Sequence, residues 1–428
     1  MNRIQTKKLG QSFSLRNICN LNDLDMFNPE PFRNHFPSLR RLHQGKPLIF
    51  MDGPGGTQVP NQVIQAISQY YQTSNSNSHG VFITTMETDK VIDEVRIKTA
   101  ALLGAEHPGT ISLGQNMTTL NFALARGIGR ILQPGDEILI TQLDHEGNRG
   151  PWLSLRERGI LIKEVMLNSD GTLNYQDMEQ KINDRTRLVA VGMASNALGT
   201  VNDLRKAREL SYRYGALLVL DGVHYAPHFS IDVQEIGCDF LLCSAYKFYG
   251  PHVGLLYSRP GALDRIPTDR LRTAGQSAPE KIETGTLNHA ALAGVSAAID
   301  FIAAQGTGAS LREKILDAYQ IIGEHEHALA KKLYTGLSVS KNLTIIGQSF
   351  DSKHRAPTIS FLHHRLTAEQ VCKKLAEKNI CAWDGHFYAQ RAIEILGLLE
   401  KGGVTRLGIA AYTTSQEIDQ VIEAVQSL

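Results

Sequence analysis

Residues 216–247 read ALLVLDGVHYAPHFSIDVQEIGCDFLLCSAYK and contain two short apolar runs, each followed by an ionisable side chain. Ala216–Leu220 leads into Asp221, and Phe240–Cys243 leads through a short turn to Lys247. Apolar runs of this length, bounded by polar or glycine-bearing turns, are typical of strands buried in a mostly parallel sheet. We therefore expect an α/β fold that brings both side chains to the same rim of the sheet.

The same alternation of apolar runs and helical patterns extends from about Asp52 to Gly250. It predicts further strands at Thr110–Leu113, Glu137–Thr141, Leu188–Met193 and Val253–Tyr257. Polar or glycine-bearing turns follow the runs, namely GQNMT, QLDHEGN, ASNALGT, DGVH and SAYK. Because ligands of such sheets bind beyond the carboxyl ends of the strands, the pattern predicts one pocket at that edge.

The pattern of predicted helices and strands changes after Asn288. A helical pattern around Ser310–Leu337 precedes strand patterns at Leu343–Ile346 and Thr358–Leu362 and capping-box helix starts at Thr367 and Thr414. We expect residues 1–48 to form an N-terminal segment that packs with a small domain. Residues 49–300 are predicted to form a large domain, and residues 301–428 the small α+β domain.

The charge balance argues against nucleic acid and membrane surfaces as partners. The chain has 428 residues with 44 basic and 43 acidic side chains, which leaves a net charge of +1. The N-terminus is basic but lacks the apolar core of a secretory signal, and no apolar run is long enough to span a bilayer. Small charged metabolites remain candidate ligands, because a neutral protein can contain a locally basic pocket.

Cysteine and histidine usage favours a cytoplasmic protein without a metal site. The five cysteines include no CxxC pair, which disfavours a disulfide framework or a zinc site; they are Cys19, Cys238, Cys243, Cys372 and Cys381. The pairs His325/His327 and His363/His364 lack carboxylate or cysteine partners at ligand spacing. We therefore expect a soluble protein in a reducing compartment and no bound metal.

Asp221 and Lys247 together suit the chemistry of pyridoxal 5′-phosphate (PLP). A lysine amine forms an imine with the aldehyde of this cofactor. A carboxylate keeps the pyridine nitrogen protonated, so that the ring can accept electrons from a carbanion. Either residue alone is better explained as an ordinary turn or surface residue, and the case depends on the other clusters at the same rim.

A phosphate group needs backbone N–H groups and hydroxyls, which a helix N-terminus supplies. Residues 114–119 read GQNMTT and run into the helical stretch LNFALARGI. Ser244 and Tyr246, on the turn that carries Lys247, offer additional hydroxyls. His145 follows the strand EILIT and is placed to lie flat on the pyridine ring.

The ordered set GQNMT, DHEGN, ASNALGT, DGVHYAPH and SAYKFYGP resembles the class V aminotransferases of PLP fold type I. Within that superfamily it is similar to the cysteine desulfurase and selenocysteine lyase branch. The resemblance runs from MDGPGGTQVP at Met51 to TRLGIAAYTT near the C-terminus. It implies a large domain, with a mostly parallel seven-stranded sheet between helices, and a smaller α+β C-terminal domain.

The resemblance also implies roles for individual residues. Lys247, His145 and Asp221 would be catalytic, with Asn196 near the 3-oxygen of the cofactor and the Met117 N–H on its phosphate. The full set implied to bind the cofactor is Asn116, Met117, His145, Asn196, Asp221, His224, Ser244, Tyr246, Lys247 and Thr286.

Two further residues are implied to act on the substrate and across an interface. Arg406, in VTRLGIAAY, matches the arginine that binds the α-carboxylate of the substrate. A guanidinium and a carboxylate form a bidentate pair, which fixes orientation as well as charge. Thr286, in ETGTLN, resembles the threonine that reaches the phosphate of the neighbouring subunit, and this implies a homodimer.

The sequence departs from the desulfurases at the sulfur-accepting loop. Desulfurases carry a nucleophilic cysteine in a loop resembling R-x-G-x-H-C-A, whereas Trp383–Ala389 reads WDGHFYA. Tyr388 therefore stands at the cysteine position and Trp383 at the arginine position. Persulfide transfer needs a thiolate, which a phenol cannot replace. We expect Cys381 to be a strand residue that fills space rather than a substitute nucleophile.

A second departure is His224, where desulfurases carry a glutamine. The Asp-x-x-His pattern is similar to that of kynureninases, isopenicillin epimerase-like proteins and carbon–sulfur lyases of the superfamily. Tyr246 before the lysine is likewise similar to kynureninase, and Asn116-Met117 replaces the usual Thr-Thr of the phosphate turn.

These observations favour a PLP enzyme that acts on a small amino acid, with β-elimination from a cysteine-like substrate as the leading interpretation. Transamination and epimerisation are the alternatives within the superfamily. A PLP-binding protein without turnover is an alternative from another class, disfavoured by the combination of Asp221, Lys247 and Arg406. A nicotinamide-binding enzyme lacks support, because no predicted strand is followed by GxGxxG.

Overall fold

The structure is a computed structural model that describes residues 27–351 and 354–428. Predictions that concern residues 1–26, which include Cys19 and the start of the N-terminal segment, lie outside the described residues.

The larger sheet of the described chain has seven strands. In chain order they are β1 Ile111–Gly114, β2 Glu137–Thr141, β3 Leu161–Val165, β4 Thr186–Gly192, β5 Leu217–Asp221, β6 Phe240–Ser244 and β7 Gly254–Ser258. Their spatial order is β1-β7-β6-β5-β4-β2-β3, with β7 antiparallel to both neighbours and the other pairs parallel. Leu218 and Leu220 of β5 pack in one core and Val219 in another, so both faces of the sheet are buried. The predicted mostly parallel α/β sheet is confirmed.

The apolar pattern does not predict β3. This strand lies at the edge of the sheet, reads LIKEV, and leaves Leu161 46% exposed. An edge strand tolerates polar residues, because it is not covered on every side, and it therefore lacks the continuous apolar run of a central strand. The other predicted strands are present, with bounds that differ by at most two residues.

Helices connect the strands and pack on both sheets. Those within the described ranges are α1 Pro29–Arg33, α2 Asn61–Thr73, α3 Ile83–Leu103, α4 Met117–Gly129, α5 Glu146–Leu153, α6 Tyr175–Lys181, α7 Leu204–Arg213, α8 Val233–Ile236, α9 His289–Ala303, α10 Leu311–Ser338, α11 Ala368–Ala376, α12 Gln390–Ile395 and α13 Ser415–Gln426. The predicted capping boxes at Thr367 and Thr414 are confirmed, since both hydrogen bonds of each box are present. Among the described helices, none has the length and apolar character needed to cross a membrane.

A second, antiparallel sheet lies in the C-terminal part of the chain. Its strands are β8 Leu343–Ile346, β9 Thr358–His363, β10 Trp383–Gly385 and β11 Val404–Gly408, in the spatial order β8-β9-β11-β10. Side chains of α10, α11 and α13, including Leu333, Val371 and Ile418, pack with Phe361 and Leu407 of this sheet in one core. The predicted α+β architecture of the C-terminal part is confirmed.

The described part of the N-terminal segment contacts both sheet regions. Phe32 packs against Phe301 with ring centroids 4.9 Å apart. Arg33 forms an ion pair with Glu417 of α13 at 2.9 Å. Because the segment contacts both parts of the protein, the domain limits at residues 48 and 300 stay a prediction.

Candidate active site

The carboxyl ends of β1, β2, β4, β5 and β6 surround a cavity of about 430 Å³. Nine predicted site residues line it: Asn116, Met117, His145, Asn196, Asp221, His224, Ser244, Tyr246 and Lys247. They come from separate segments of the chain and meet because parallel strands end at a common edge.

Lys247 follows β6 on a short turn and is only 8% exposed. Its Nζ donates a hydrogen bond to the carbonyl oxygen of Pro54 and lies 4.9 Å from the centroid of the Tyr246 ring. Burial and the nearby Arg406 charge lower the pKa of Lys247 to about 7, against the opposing attraction of two carboxylates. A neutral amine is thus populated near neutral pH, and this is the form that attacks an aldehyde or accepts a proton.

Asp221 ends β5, and its Oδ1 accepts a hydrogen bond from the Val223 N–H at 2.9 Å. Burial raises the pKa of Asp221 to about 7, although the Val223 bond and Lys247 favour the charged form. A buried carboxyl group in this position is stabilised as the anion by a cation placed directly beside it. A protonated pyridine nitrogen is such a cation.

The end of the cavity at the start of α4 has the donors expected for a phosphate. The side chain of Asn116 caps α4, where its Oδ1 accepts from the Thr119 N–H at 2.8 Å. The Met117 N–H donates to Ser244 Oγ at 2.9 Å, which ties the start of α4 to the end of β6. An anion gains from the N–H groups and dipole of a helix N-terminus. Asn116 therefore shapes this end chiefly as a helix cap.

His145 lies where α5 begins and acts as its N-cap, with Nδ1 accepting from the Gly147 N–H at 2.9 Å. Burial and the charges of Lys247 and Arg406 lower the pKa of His145 to about 4. The ring is therefore neutral at physiological pH. It faces the ring of Tyr388, with centroids 5.5 Å apart and an angle of 30° between the planes.

His224 and Asn196 provide polar atoms at the side of the cavity. Nε2 of His224 lies 3.0 Å from Thr358 Oγ1, and its buried Nδ1 has no hydrogen-bond partner among the described residues. Asn196 donates from Nδ2 to the carbonyl oxygen of Phe387 at 2.8 Å. The unpartnered nitrogen of His224 indicates a polar ligand atom beside it, because a buried polar group without a partner is costly.

Arg406 lies on β11 and lines a second, wider cavity of about 800 Å³ that opens next to the first. Its Nη1 donates to the Asn196 carbonyl oxygen at 3.0 Å, and its guanidinium carbon lies 4.0 Å from the centroid of the Phe387 ring. Burial lowers the pKa of Arg406 to about 9, so the group stays charged at neutral pH. His145, Asn196 and Lys247 border both cavities, so the cavity of this cation adjoins the cavity of Asp221.

Thr286 is the one predicted site residue that the structure does not bring to either cavity. It is exposed and lines a separate surface cavity with Gly114 and Gln115. Within one chain it does not reach the site around Lys247.

Sequence reasoning missed two carboxyl groups that affect the site: Asp144, which is buried, and Asp52, which is half-buried. Asp144 accepts from the Gly192 N–H at 2.9 Å and lines the first cavity, and burial raises its pKa to about 6. Asp52 interacts electrostatically with Arg406 and Lys247, and burial raises its pKa also to about 6. Asp144 precedes His145 in the turn QLDHEGN, so its position after a strand was an available signal. Asp52 in MDGPGG carried no comparable signal.

Cysteines lie away from both cavities in the described part of the chain. Cys238 and Cys243 are buried in the core, and burial raises the pKa of each thiol. Cys381 lies in a two-residue strand that pairs with Phe50, and burial raises its pKa as well. None of the described cysteines borders the cavity of Lys247 or that of Arg406.

The residues present fit PLP in charge and in donor type. Lys247 suits the aldehyde, Asp221 the ring nitrogen, and the start of α4 the phosphate. The unpartnered Nδ1 of His224 suits the ring oxygen, and the neutral His145 ring suits an uncharged face. No group of metal-ligating side chains occurs among the residues that the structure describes.

The fold and this site define a PLP enzyme of fold type I. Residues 49–421 match the model of the aminotransferase class-V family, and the chain therefore belongs to aminotransferase class V. This confirms the predicted family, the cofactor and the enzymatic nature of the protein.

Proteins similar to this chain include several cysteine desulfurases. A probable cysteine desulfurase of Mycolicibacterium paratuberculosis is 32% identical over 94% of this chain, which spans only 58% of that relative's length. A probable cysteine desulfurase of Halalkalibacterium halodurans is 31% identical, with 93% of this chain and 97% of the relative covered. The apo structure of a cysteine desulfurase from Thermococcus onnurineus NA1 superposes with a TM-score of 0.84 at 26% identity, covering 94% of this chain and 98% of that one.

Proposed function

We propose that the protein is a PLP-dependent carbon–sulfur lyase, which eliminates the β-sulfur of a cysteine-like amino acid without forming a persulfide on the enzyme. The desulfurase relatives support sulfur amino-acid chemistry. The observation that carries the proposal is that Tyr388 borders the cavity of Arg406. By the family resemblance, desulfurases carry their nucleophilic cysteine at this position. A phenol cannot accept the substrate sulfur, so the sulfur has to leave in solution.

In this proposal, different side chains bind the substrate and support the cofactor. Arg406 binds the α-carboxylate with its planar guanidinium, held in place by Asn196 and Phe387. Bound PLP supplies the electron sink for negative charge that develops at the α-carbon. Asp221 would hold a proton on the pyridine nitrogen of the bound cofactor, and the neutral His145 ring would cover its face without adding charge.

Lys247 removes the α-proton. Its pKa of about 7 leaves a neutral amine available near neutral pH, which is close to the optimum for a general base. The Cβ–S bond then breaks, and sulfur leaves with the bonding electron pair and takes a proton from solvent at the open side of the cavity. No oxidation occurs, and after addition of water the three-carbon remainder is released as pyruvate and ammonia.

The test of this proposal is whether sulfur accumulates on the protein during turnover. With L-cysteine as substrate, a persulfide-trapping label read by mass spectrometry is expected to find no modified cysteine, while sulfide and pyruvate are released. Cys381→Ser is expected to keep the rate within about twofold, because a half-buried thiol only fills space there. Cys372→Ser is the matched control, a second half-buried thiol outside both cavities.

Alkylation of exposed thiols in the native protein is expected to be equally harmless. A labelled persulfide on Cys381, together with lost activity in Cys381→Ser, would restore a desulfurase mechanism and overturn the proposal. Formation of a keto acid with retention of sulfur would indicate transamination instead, and loss of optical purity would indicate epimerisation.

We also propose a homodimer in which Thr286 completes the phosphate site of the neighbouring subunit. Its exposure, away from the site of its own chain, supports this arrangement. The holoenzyme is expected to sediment as a dimer, and cofactor retention is expected to fall on dilution below the dimer dissociation constant. A stable monomer that retains PLP would contradict the shared site.

A cytoplasmic location is proposed on the basis of the cysteines. Cys238, Cys243, Cys372 and Cys381 are free thiols, which agrees with a reducing compartment.

A further inference from the structure

Aromatic rings form one wall of the wide cavity at Arg406. The side chain of cysteine is small and would leave most of this cavity unfilled. Phe122, Trp383, Phe387 and Tyr388 border it, together with His145 and His386. The cavity measures about 800 Å³, against about 430 Å³ for the cavity that holds the predicted cofactor residues. From this wall we infer that the substrate is an S-substituted L-cysteine, a thioether with a large apolar or aromatic group on sulfur. This inference rests on the proposed function and specifies its substrate class.

The aromatic wall adjoins the cation that binds the α-carboxylate. Trp383 and Arg406 are directly opposite each other on β10 and β11, so their side chains lie on the same face of the sheet. Gly55 lies next to both side chains, since a Cβ atom built on it would be 3.0 Å from Trp383 Nε1 and 3.8 Å from Arg406 Nη2. Phe387 stacks on the Arg406 guanidinium at 4.0 Å. A substrate held at Arg406 therefore has aromatic rings within reach of its side chain.

Hydrogen bonds to two other elements hold the backbone of this wall. The Phe387 carbonyl oxygen accepts from Asn196 Nδ2 at 2.8 Å, and the Tyr388 carbonyl oxygen accepts from the Glu146 N–H at 2.6 Å. Phe387 and Tyr388 both have positive φ angles, of 53° and 58°. Non-glycine residues adopt this conformation at a cost, which surrounding contacts have to offset. The rings are thus presented at the cavity by a backbone that is held from both sides.

The outer rings of the wall are open to solvent in the free chain. Tyr388 is 69% exposed, Trp383 53% and Phe122 37%. A group of exposed large rings around one opening is typical of a binding surface, whereas single exposed apolar residues are ordinary. Rings of tyrosine and tryptophan gain most from a flat apolar or aromatic partner.

A thioether also fits the chemistry of a site without an acceptor thiol. Lys247 takes the α-proton, the Cβ–S bond breaks, and the substituent leaves as a thiol after protonation of its sulfur by solvent. The products are the thiol, pyruvate and ammonia, with one water consumed. Each bond change is balanced without an oxidant or a reductant, and no cysteine of the protein takes part.

The experiment compares two ligands on the PLP-loaded enzyme. S-benzyl-L-cysteine and L-cysteine are titrated separately, with dissociation constants read from the change in cofactor absorbance, and released thiol and sulfide are measured in parallel. S-benzyl-L-cysteine is expected to bind at least about tenfold more tightly, since apolar contacts of this size discriminate by that factor or more. In Tyr388→Ala and in Trp383→Ala this ratio is expected to fall towards one, with L-cysteine affinity within about twofold of the wild type.

Tyr212→Ala is the matched control, an exposed tyrosine of α7 that borders neither cavity and whose loss is expected to leave the ratio unchanged. Tighter or equal binding of L-cysteine by the wild type overturns the inference, as does an unchanged ratio in both wall variants. If L-cysteine is the better ligand and releases sulfide without a protein persulfide, only the substrate class is wrong. If neither ligand releases sulfide or thiol, the proposed lyase function itself fails.

Discussion

Replacement of Lys247 by alanine is expected to reduce turnover by at least about a thousandfold, within the usual range for loss of a general base. The variant is also expected to lose the absorbance near the visible edge that an imine between PLP and the protein produces. Both effects follow from one amine, which is buried, has a pKa lowered to about 7 and borders both cavities. Steady-state assays and absorption spectra of the purified variant measure them.

Lys247→Arg distinguishes the role of the nucleophilic amine from the role of the positive charge. Arginine keeps a positive charge beside Asp221 but offers no nucleophilic amine, so it is expected to be as inactive as the alanine variant. Borohydride reduction of the native holoenzyme, followed by peptide mapping, is expected to place the pyridoxyl group on Lys247. Lys281 is an internal control, because it is also buried but lies outside both cavities. A pyridoxyl adduct on any lysine other than Lys247 would show that the assignment is wrong.

Substitution of Arg406 by lysine is expected to raise the KM for the amino-acid substrate by about tenfold to a hundredfold. Hydrogen bonds to a charged group contribute about 1.5–3 kcal/mol, and the planar fork that makes two of them is lost. Cofactor affinity is expected to change little, because Arg406 borders the wider cavity and not the one that contains Asp221 and the start of α4. Kinetics with the substrate and titration of the apoenzyme with PLP separate the two effects.

A decarboxylated substrate analogue provides the control for Arg406. The amine lacks the group that Arg406 binds, so it is expected to be a poor substrate for the wild type and for Arg406→Lys to the same degree. An unchanged KM for the amino acid in Arg406→Lys would place the carboxylate site elsewhere.

Much of the large sheet, and the placement of Asp221 and Lys247 at its edge, could be predicted from local sequence. Runs such as Ala216–Leu220 are apolar because central parallel strands are buried on both faces, and this requirement is visible in one short window. Asp221 and Lys247 follow such strands, and a parallel sheet brings carboxyl ends to one edge whatever the connections are. The edge strand Leu161–Val165 was not predicted, since a strand that is partly exposed does not need the same apolar run.

The place of Arg406 at the second cavity was decided by tertiary structure. Arg406 entered from the family resemblance alone, and it reaches the cavity only because β11 of the second sheet lies against the loops of the first. The pKa values of Asp52 and Lys247 depend on burial and on charges from distant segments, which no window of sequence contains.

The sequence by itself thus determined most of the large sheet and the cofactor class, since each depends on residue type and order along one stretch of chain. Only the tertiary structure decided that Phe122, Trp383, Phe387 and Tyr388 border one opening beside Arg406. These residues come from α4, β10 and the loop that follows it, and their spacing along the chain has no periodicity. Convergence of this kind results from the contact of the second sheet with the loops of the first, a long-range property that local pattern does not encode.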